Sequence, residues 1–332
     1  MVFQGSESTS VEVTIYHRGN DPVVLASIGA DQFTGRRFGE ENHCLVSATV
    51  QKSLSAGSGT WSIMAKPILG GPDFFDRVVD DDWVDIVFLR HNKRFHVMRG
   101  MIDEVRQSRV VSGNGATTRV WNLAGRDFTR VWEMTPLWFN RFAGENVGGG
   151  YSLKVYSALD ALLDKTPDKC VQAMLEGFLR ELGEVGRAPW DMPRTMPGLQ
   201  GPTFIDNFEI RSDLFPGQER QPPRIAVAPN YVVPDGNCWE LAKEWSDPTF
   251  CELWADLLPK NAQDVGDDVE LLPENSQMVV TLRDRPFPRL ALGYNSPWFN
   301  LPLHIIPAQH VQTADIGKSG LERFNAFFVS PQ

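Results

Sequence analysis

What this chain lacks narrows it first. It has no run of about 18 apolar residues, the least a membrane-crossing helix needs. Residues 1–10, MVFQGSESTS, carry neither the basic nor the apolar part of a secretory signal. The expectation is a protein made in the cytoplasm, with no membrane insertion by this chain. Basic clusters are equally scarce. None is longer than Arg36-Arg37 or Lys93-Arg94, and 42 acidic residues against 32 basic ones leave a net charge of −10. A protein that grips duplex DNA needs a basic face to neutralise phosphates, so sequence-specific nucleic-acid binding is disfavoured. An acidic wall that DNA slides past remains compatible with this charge.

Cysteine is sparse too. Cys44, Cys170, Cys238 and Cys251 form no CxxC pair, which argues against a zinc ribbon and for reduced, mostly buried thiols. The signatures of catalysis are missing as well. There is no GxGxxG after a strand, no GxxxxGK[ST] loop, no GxSxG elbow and no HExxH. Of the six histidines, His91 and His96 stand five apart, which would put them on opposite sides of one strand, with a turn expected between them. The run Asp80-Asp81-Asp82 lacks further carboxylates at calcium-loop spacing and reads as a solvated turn before a strand. Two distant carboxylates can still meet in a hydrolase cleft. Glu104, Asp127, Glu176 and Asp206 are candidates no better than many other acids here, and cap-forming or solvated roles are expected for them. No catalytic, cofactor-binding or metal-binding residue is assigned, and no cofactor is expected.

What is present is β-pattern. The 28 Gly and 23 Pro imply many turns, and the 10 Trp suit cores and interfaces. The length of 332 residues exceeds one domain of about 150, so two or three are expected. The organising stretch is Trp83 to Arg130. Apolar residues alternate at Val84, Ile86 and Phe88, at Val97 and Met101, and at Val120 and Leu123, with Gly100 and the Gly113–Gly115 pair as punctuation. Three antiparallel strands of a small barrel or meander follow from this.

Before that stretch, strands are expected around Val11–Ile15, Leu45–Lys52 and Thr60–Ala65, with a turn-rich segment at Asn20-Asp21-Pro22. After it comes a loop from Pro136 to Gly150. A helix follows with Val155, Leu159, Leu162 and Leu163 on one face. A second helix has Thr166 as cap, Pro167 first, and Val171, Met174, Leu175, Phe178 and Leu182 as its stripe before Gly183. Nine prolines in residues 184–236 exclude long regular elements. Phe204, Ile205, Phe208 and Ile210 argue for an ordered connector. Asn237–Trp245 reads as a short helix. Phe250–Leu257, Gln277–Arg283, Leu303–Ile306 and Glu322–Val329 read as strands, the last an edge seeking a partner.

Several blocks together resemble the central hub proteins of contractile-tailed phage baseplates, which join the spike trimer to the tail tube. In the first half they are Gly59-Thr60-Trp61-Ser62-Ile63, Asp82-Trp83-Val84-Asp85-Ile86, Met98-Arg99-Gly100-Met101-Ile102-Asp103-Glu104-Val105 and Ala124-Gly125-Arg126-Asp127. In the second they are Trp239-Glu240-Leu241, Ser246-Asp247-Pro248, Glu252-Leu253-Trp254-Ala255-Asp256 and Leu282-Arg283-Asp284-Arg285-Pro286-Phe287.

The resemblance implies a β-rich α+β chain with two tube-like antiparallel β-barrel domains and a helical and Pro-rich insertion between them. Residues 1–133 would form the first barrel, 134–236 the connector and 237–332 the second barrel, incomplete unless another chain supplies part of it. It further implies a homotrimer located in the virion tail. Its partners would be a spike protein, a tail tube protein and other baseplate proteins, with DNA only passing transiently through the lumen and no enzymatic activity. Gly100, Asp103, Gly125, Arg126 and Asp127 would be structural elements of the first barrel, and Arg283, Pro286 and Phe287 of the second. The competing reading is a tail-associated cell-wall or polysaccharide hydrolase, or a carbohydrate-binding protein.

Overall fold

The computed structural model describes residues 10–17, 21–27, 45–52, 58–66, 77–90, 93–111, 117–135, 167–177, 179–180, 191–213, 237–246, 251–260 and 270–284. All of them belong to the first of two compact units, Met1–Arg285. The expected helix at Val155–Leu163, the loop at Pro136–Gly150 and the strands at Leu303–Ile306 and Glu322–Val329 lie outside the described residues, as do Cys44, Pro286 and Phe287.

The protein is β-rich with few helices. Seven strands, β1 (Ser10–Tyr16), β2 (Val23–Ala26), β3 (Leu45–Gln51), β4 (Thr60–Ala65), β5 (Trp83–Arg90), β6 (Lys93–Val111) and β7 (Thr117–Asp127), form one antiparallel sheet. Its order is β2-β1-β5-β6-β7-β4-β3, and it curls into a half-barrel. The three strands read from Trp83 to Arg130 are its centre. Strand β2 was not foreseen: it follows the Asn20-Asp21-Pro22 turn and is only four residues long, too short to show a period. A second sheet orders β8 (Phe208–Asp213), β10 (Ser276–Asp284) and β9 (Cys251–Pro259), with β8 parallel and β9 antiparallel to β10.

Alternation explains the first core. Val13, Ile15, Trp61, Ile63, Val84, Ile86, Met98, Ile102, Trp121 and Leu123 point to one face of the large sheet and pack together. The other face is also covered, which period-two reading did not show for β5. Trp83 and Met101 join a second core with Phe128, Trp132, Met174, Phe204, Trp239, Leu253 and Val280. The elements that cover this face are α1 (Arg130–Glu133), α2 (Pro167–Gln172), α3 (Cys238–Trp245) and the small sheet.

Trp132 sits at the centre of the second core. Its ring stacks on Trp239 at 5.7 Å and meets Phe204 and Phe208 edge-on at 5.0 Å, while its Nε1–H donates to the Leu175 carbonyl at 2.9 Å. Asn237 caps α3 by accepting the Glu240 N–H at 2.9 Å, and Trp239, Leu241, Ala242 and Trp245 are buried as the pattern required. The expected second helix begins as α2, widens after Gln172 into a π-helical turn, Ala173–Gly177, and is helical again at 179–180, while Thr166, Phe178, Leu182 and Gly183 lie outside the described residues. Val171, Met174 and Leu175 are still buried. Cys170, Cys238 and Cys251 are buried, and burial pushes the Cys170 thiol up to about 11.

Candidate functional site

The most concentrated chemistry lies where β5 and β6 meet the segments that close over them. Asp85 and Arg99 are directly opposed in the register of these strands. Arg99 donates from Nε to Asp85 Oδ1 at 2.7 Å and from Nη2 to Oδ2 at 2.8 Å. His96 would ordinarily face the other way, since 96 and 99 differ by an odd number and strand side chains alternate. A bulge makes the difference. Ile86 pairs with Met98 but Val87 pairs with His96, so Val97 is the extra residue and His96 turns to the Asp85 side.

There His96 Nε2 lies 3.0 Å from Asp85 Oδ1, and its Nδ1 lies 2.7 Å from the Ser276 hydroxyl, at the start of β10. With Asp85 ionised, the consistent assignment places the proton on Nε2, donating to Asp85, while the Ser276 hydroxyl donates to Nδ1 at 2.7 Å in preference to the Pro273 carbonyl at 3.2 Å. The connectivity is that of a serine–histidine–aspartate triad. Its setting is different. Ser276, His96 and Asp85 are no more than 2 % exposed, and Arg99 occupies both oxygens of the carboxylate. The hydroxyl is enclosed by protein, and in this form the group acts as a polar fastening.

The electrostatics agree with a fastening. Although burial alone would raise it, Asp85 is held far below the usual carboxylate range by Arg99 first and His96 second. Burial pushes His96 down, and Asp85 opposes this only in part, so the imidazole is neutral. Burial raises the Tyr16 phenol, and the neighbouring Asp85 charge raises it further.

The fastening joins the large sheet to what covers it. Arg99 Nη2 also donates to the Pro197 carbonyl at 3.1 Å. The His96 N–H donates to the Leu271 carbonyl at 2.7 Å, and the Leu271 N–H returns to the Arg94 carbonyl at 3.1 Å. Lys260 Nζ reaches the Gly198 carbonyl at 2.7 Å. Gly198 has φ of 78°, and a Cβ there would sit 2.5 Å from the Pro273 carbonyl oxygen, so only glycine fits.

The residues marked by resemblance form a second cluster on β6 and β7. Gly100 lies so close to β7 that a Cβ would stand 2.1 Å from the Arg126 carbonyl oxygen. A Cβ on Gly125 would stand 2.1 Å from that of Met101. Asp103 is the extra residue of a second bulge, between Ile102 and Glu104. Released from the ladder, it takes a bidentate bond from Arg126, Nε to Oδ2 at 2.8 Å and Nη2 to Oδ1 at 2.9 Å. Arg126 also reaches Glu133 of α1, while Arg130 donates to the Ile102 carbonyl and pairs with Asp81. Asp127 is buried, accepting the Gly59 N–H at 2.7 Å and the N–H and hydroxyl of Thr129; burial raises its pKa. In the small sheet Arg283 pairs with Glu252 at 2.9 Å and lies 4.5 Å over the Trp254 ring.

The other sequence candidates are dispersed. Glu104 is exposed and pairs with Arg106, Glu176 pairs with Arg180, and Asp206 joins Thr203 in a capping box. The acidic turn differs from its reading in one respect. Asp82 is buried rather than solvated, bonded to His17 at 2.8 Å and to the Val79 N–H, because it closes the turn into β5. His91 lies outside the described residues. Among the described residues no group of three or more His, Cys, Asp or Glu is placed to hold a metal ion, and no helix is long and apolar enough to cross a membrane. Sequence reasoning missed Asp85, His96, Arg99 and Ser276 as a group. A charged residue at a central strand position in each of WVDIVFL and HVMRGM was the available signal.

No family model matches the sequence, and no curated protein matches it. Among solved structures, the chain is similar to a tail protein from Neisseria meningitidis MC58 at 11% identity and a TM-score of 0.38, over 82% of this chain and 50% of that one. It is similar to the lidless PdpA–VgrG complex at 8% identity and a TM-score of 0.36, over 84% of this chain and 36% of that one. The chain thus spans half the length of the first and little more than a third of the second, and likenesses this weak do not bear on function.

Proposed function

We propose that the protein is a structural subunit of a contractile-tail baseplate hub, a trimeric ring that adapts a threefold spike to a sixfold tail tube. One observation carries the reading. Two of the blocks of the resemblance, Met98–Val105 and Ala124–Asp127, interlock across β6 and β7 through close glycine approaches and the Asp103–Arg126 fork. In this reading residues 1–133 are one tube-like barrel and 237–332 contribute the second. The segment 134–236 lies between them and lends β8 to the small sheet. The chain's work is assembly rather than catalysis, its partners are the spike, the tube and other baseplate proteins, and DNA only passes through.

Quantitative mass spectrometry of purified tail particles tests this. Three copies of the chain per particle are expected, alongside spike and tube proteins. Absence from such particles, or loss of peptidoglycan turbidity on adding the purified chain, contradicts it.

A further inference from the structure

Strands β6 and β7 outrun their neighbours. Strand β5 accompanies β6 only as far as Trp83 opposite Met101, and β4 accompanies β7 only as far as Ala65 opposite Trp121. The β6–β7 pairing continues to Val111 opposite Thr117. Among the described residues the outer hairpin is therefore a two-stranded ribbon standing beyond the sheet. Alternation tells what one of its faces carries. Val105 and Leu123 belong to the core of the large sheet. On the same face follow Gln107 opposite Trp121, Arg109 opposite Arg119, and then Val111. A face that is core at its base ends in two exposed arginines and a valine 66% exposed.

Two like charges directly opposed weaken a strand pair. Among the described residues no ion pair relieves Arg109 or Arg119. The ribbon is also the wrong sign for its chain. Residues 104–120 hold Arg106, Arg109 and Arg119 against Glu104, a balance of +2, so the remainder of a chain of net charge −10 carries −12.

A matching acidic pair lies on α3. Its buried side is Cys238, Trp239, Leu241, Ala242 and Trp245, which leaves Glu240 and Glu244 exposed one turn apart. Like charges at that spacing repel on a helix, and no ion pair among the described residues relieves them. Opposed strand residues and helical residues four apart have similar Cβ separations, about 5 Å and about 5–6 Å, so two arginines can face two glutamates.

We propose that the Arg109–Arg119 ribbon of one copy docks on the Glu240–Glu244 face of α3 in a second copy, covering Val111. The contact rests on the assembly reading above and deepens it. It joins unlike patches, and repeated around an axis such contacts close a ring.

Light scattering tests it on the full chain, at about 0.05 M and about 0.5 M salt. The samples are the wild type, Arg109→Glu with Arg119→Glu, Glu240→Arg with Glu244→Arg, and the fourfold exchange, each checked for wild-type circular dichroism. Each double variant is expected to fall to the mass of one chain, and the fourfold exchange to regain the assembled mass. High salt is expected to weaken the wild-type assembly. If one double variant does not fold, the other decides by itself. An assembled wild type indifferent to all four charges overturns this contact and leaves the hub reading standing, whereas a monomeric wild type overturns the hub reading itself. Loss of assembly in both double variants with no recovery in the fourfold exchange overturns the pairing proposed. Retention of duplex DNA that depends on Arg109 and Arg119, with assembly unchanged, overturns it in favour of a nucleic-acid partner.

Discussion

Arg99 and Asp85 form a two-pronged ion pair at 2.7 and 2.8 Å, neither more than 2 % exposed, at the boundary between the large sheet and the elements that cover it. A buried pair of this kind gives little net stability while intact, because desolvation offsets attraction. Removing one partner leaves an uncompensated buried charge. Arg99→Ala or Asp85→Ala is therefore expected to cost about 3–5 kcal/mol, read by urea unfolding. A loss below about 1 kcal/mol, the range of an exposed pair, would show that the site is wet.

Arg126 makes the same fork with Asp103, but its side chain is 35% exposed. Screening there reduces its contribution, and Arg126→Ala is expected to cost about 1 kcal/mol. The ordering of the two arginines is the checkable result. Equal losses at Arg99 and Arg126 would contradict the difference in burial.

The glycines of the β6–β7 contact have no room for a methyl group. Gly100→Ala and Gly125→Ala each place a Cβ 2.1 Å from a backbone oxygen, which neither strand can yield without breaking the ladder. Losses above about 4 kcal/mol, or failure to accumulate folded protein, are expected. Gly177→Ala serves as the comparison, since a Cβ there meets nothing within 4 Å. It should be neutral or stabilise by up to about 1 kcal/mol. Similar losses at all three positions would contradict the close approach.

Much of this arrangement was legible in the sequence, for physical reasons that can be named. Strands β1, β3, β4 and β7 alternate because one of their faces is core, β5 kept an apolar run although both of its faces are covered, and α3 announced itself through Asn237 and its apolar spacing. The small sheet was half legible. Strands β9 and β10 were read, but β8 sits among prolines that excluded only long elements, and its parallel pairing leaves no local trace. The polar junction was not legible, because it depends on the bulge at Val97. One extra residue reverses the face of everything beyond it, and no composition or period in HVMRGM signals that reversal. His96 stands out in the sequence only by its spacing from His91, while its partner Ser276 lies 180 residues away.

The junction also sets a pH dependence. His96 in the folded chain lies below its ordinary value of 6.5, held neutral by burial, with Asp85 raising it and Arg99 and Lys52 lowering it, and with Ser276 at its Nδ1. In the unfolded chain it takes up a proton as pH falls through about 6.5, so unfolding binds a proton that folding excludes. Stability should therefore fall as pH drops from about 6.5, by at most about 1.4 kcal/mol per pH unit from this group. Asp82 and Asp127, raised by burial above 3.8, act in the opposite sense as pH falls toward that value. The comparison isolates His96: His96→Gln should lose the slope that begins near pH 6.5. Parallel curves for the two proteins would contradict a neutral buried imidazole.

The central claim is that this chain works as a repeated structural subunit, and its native mass in solution tests that most directly. Multi-angle light scattering or native mass spectrometry of the purified chain should give three times 37.3 kDa, alone or as the core of a larger complex with tail proteins. A stable particle of 37.3 kDa at micromolar concentration, unchanged when spike or tube protein is added, would contradict the account.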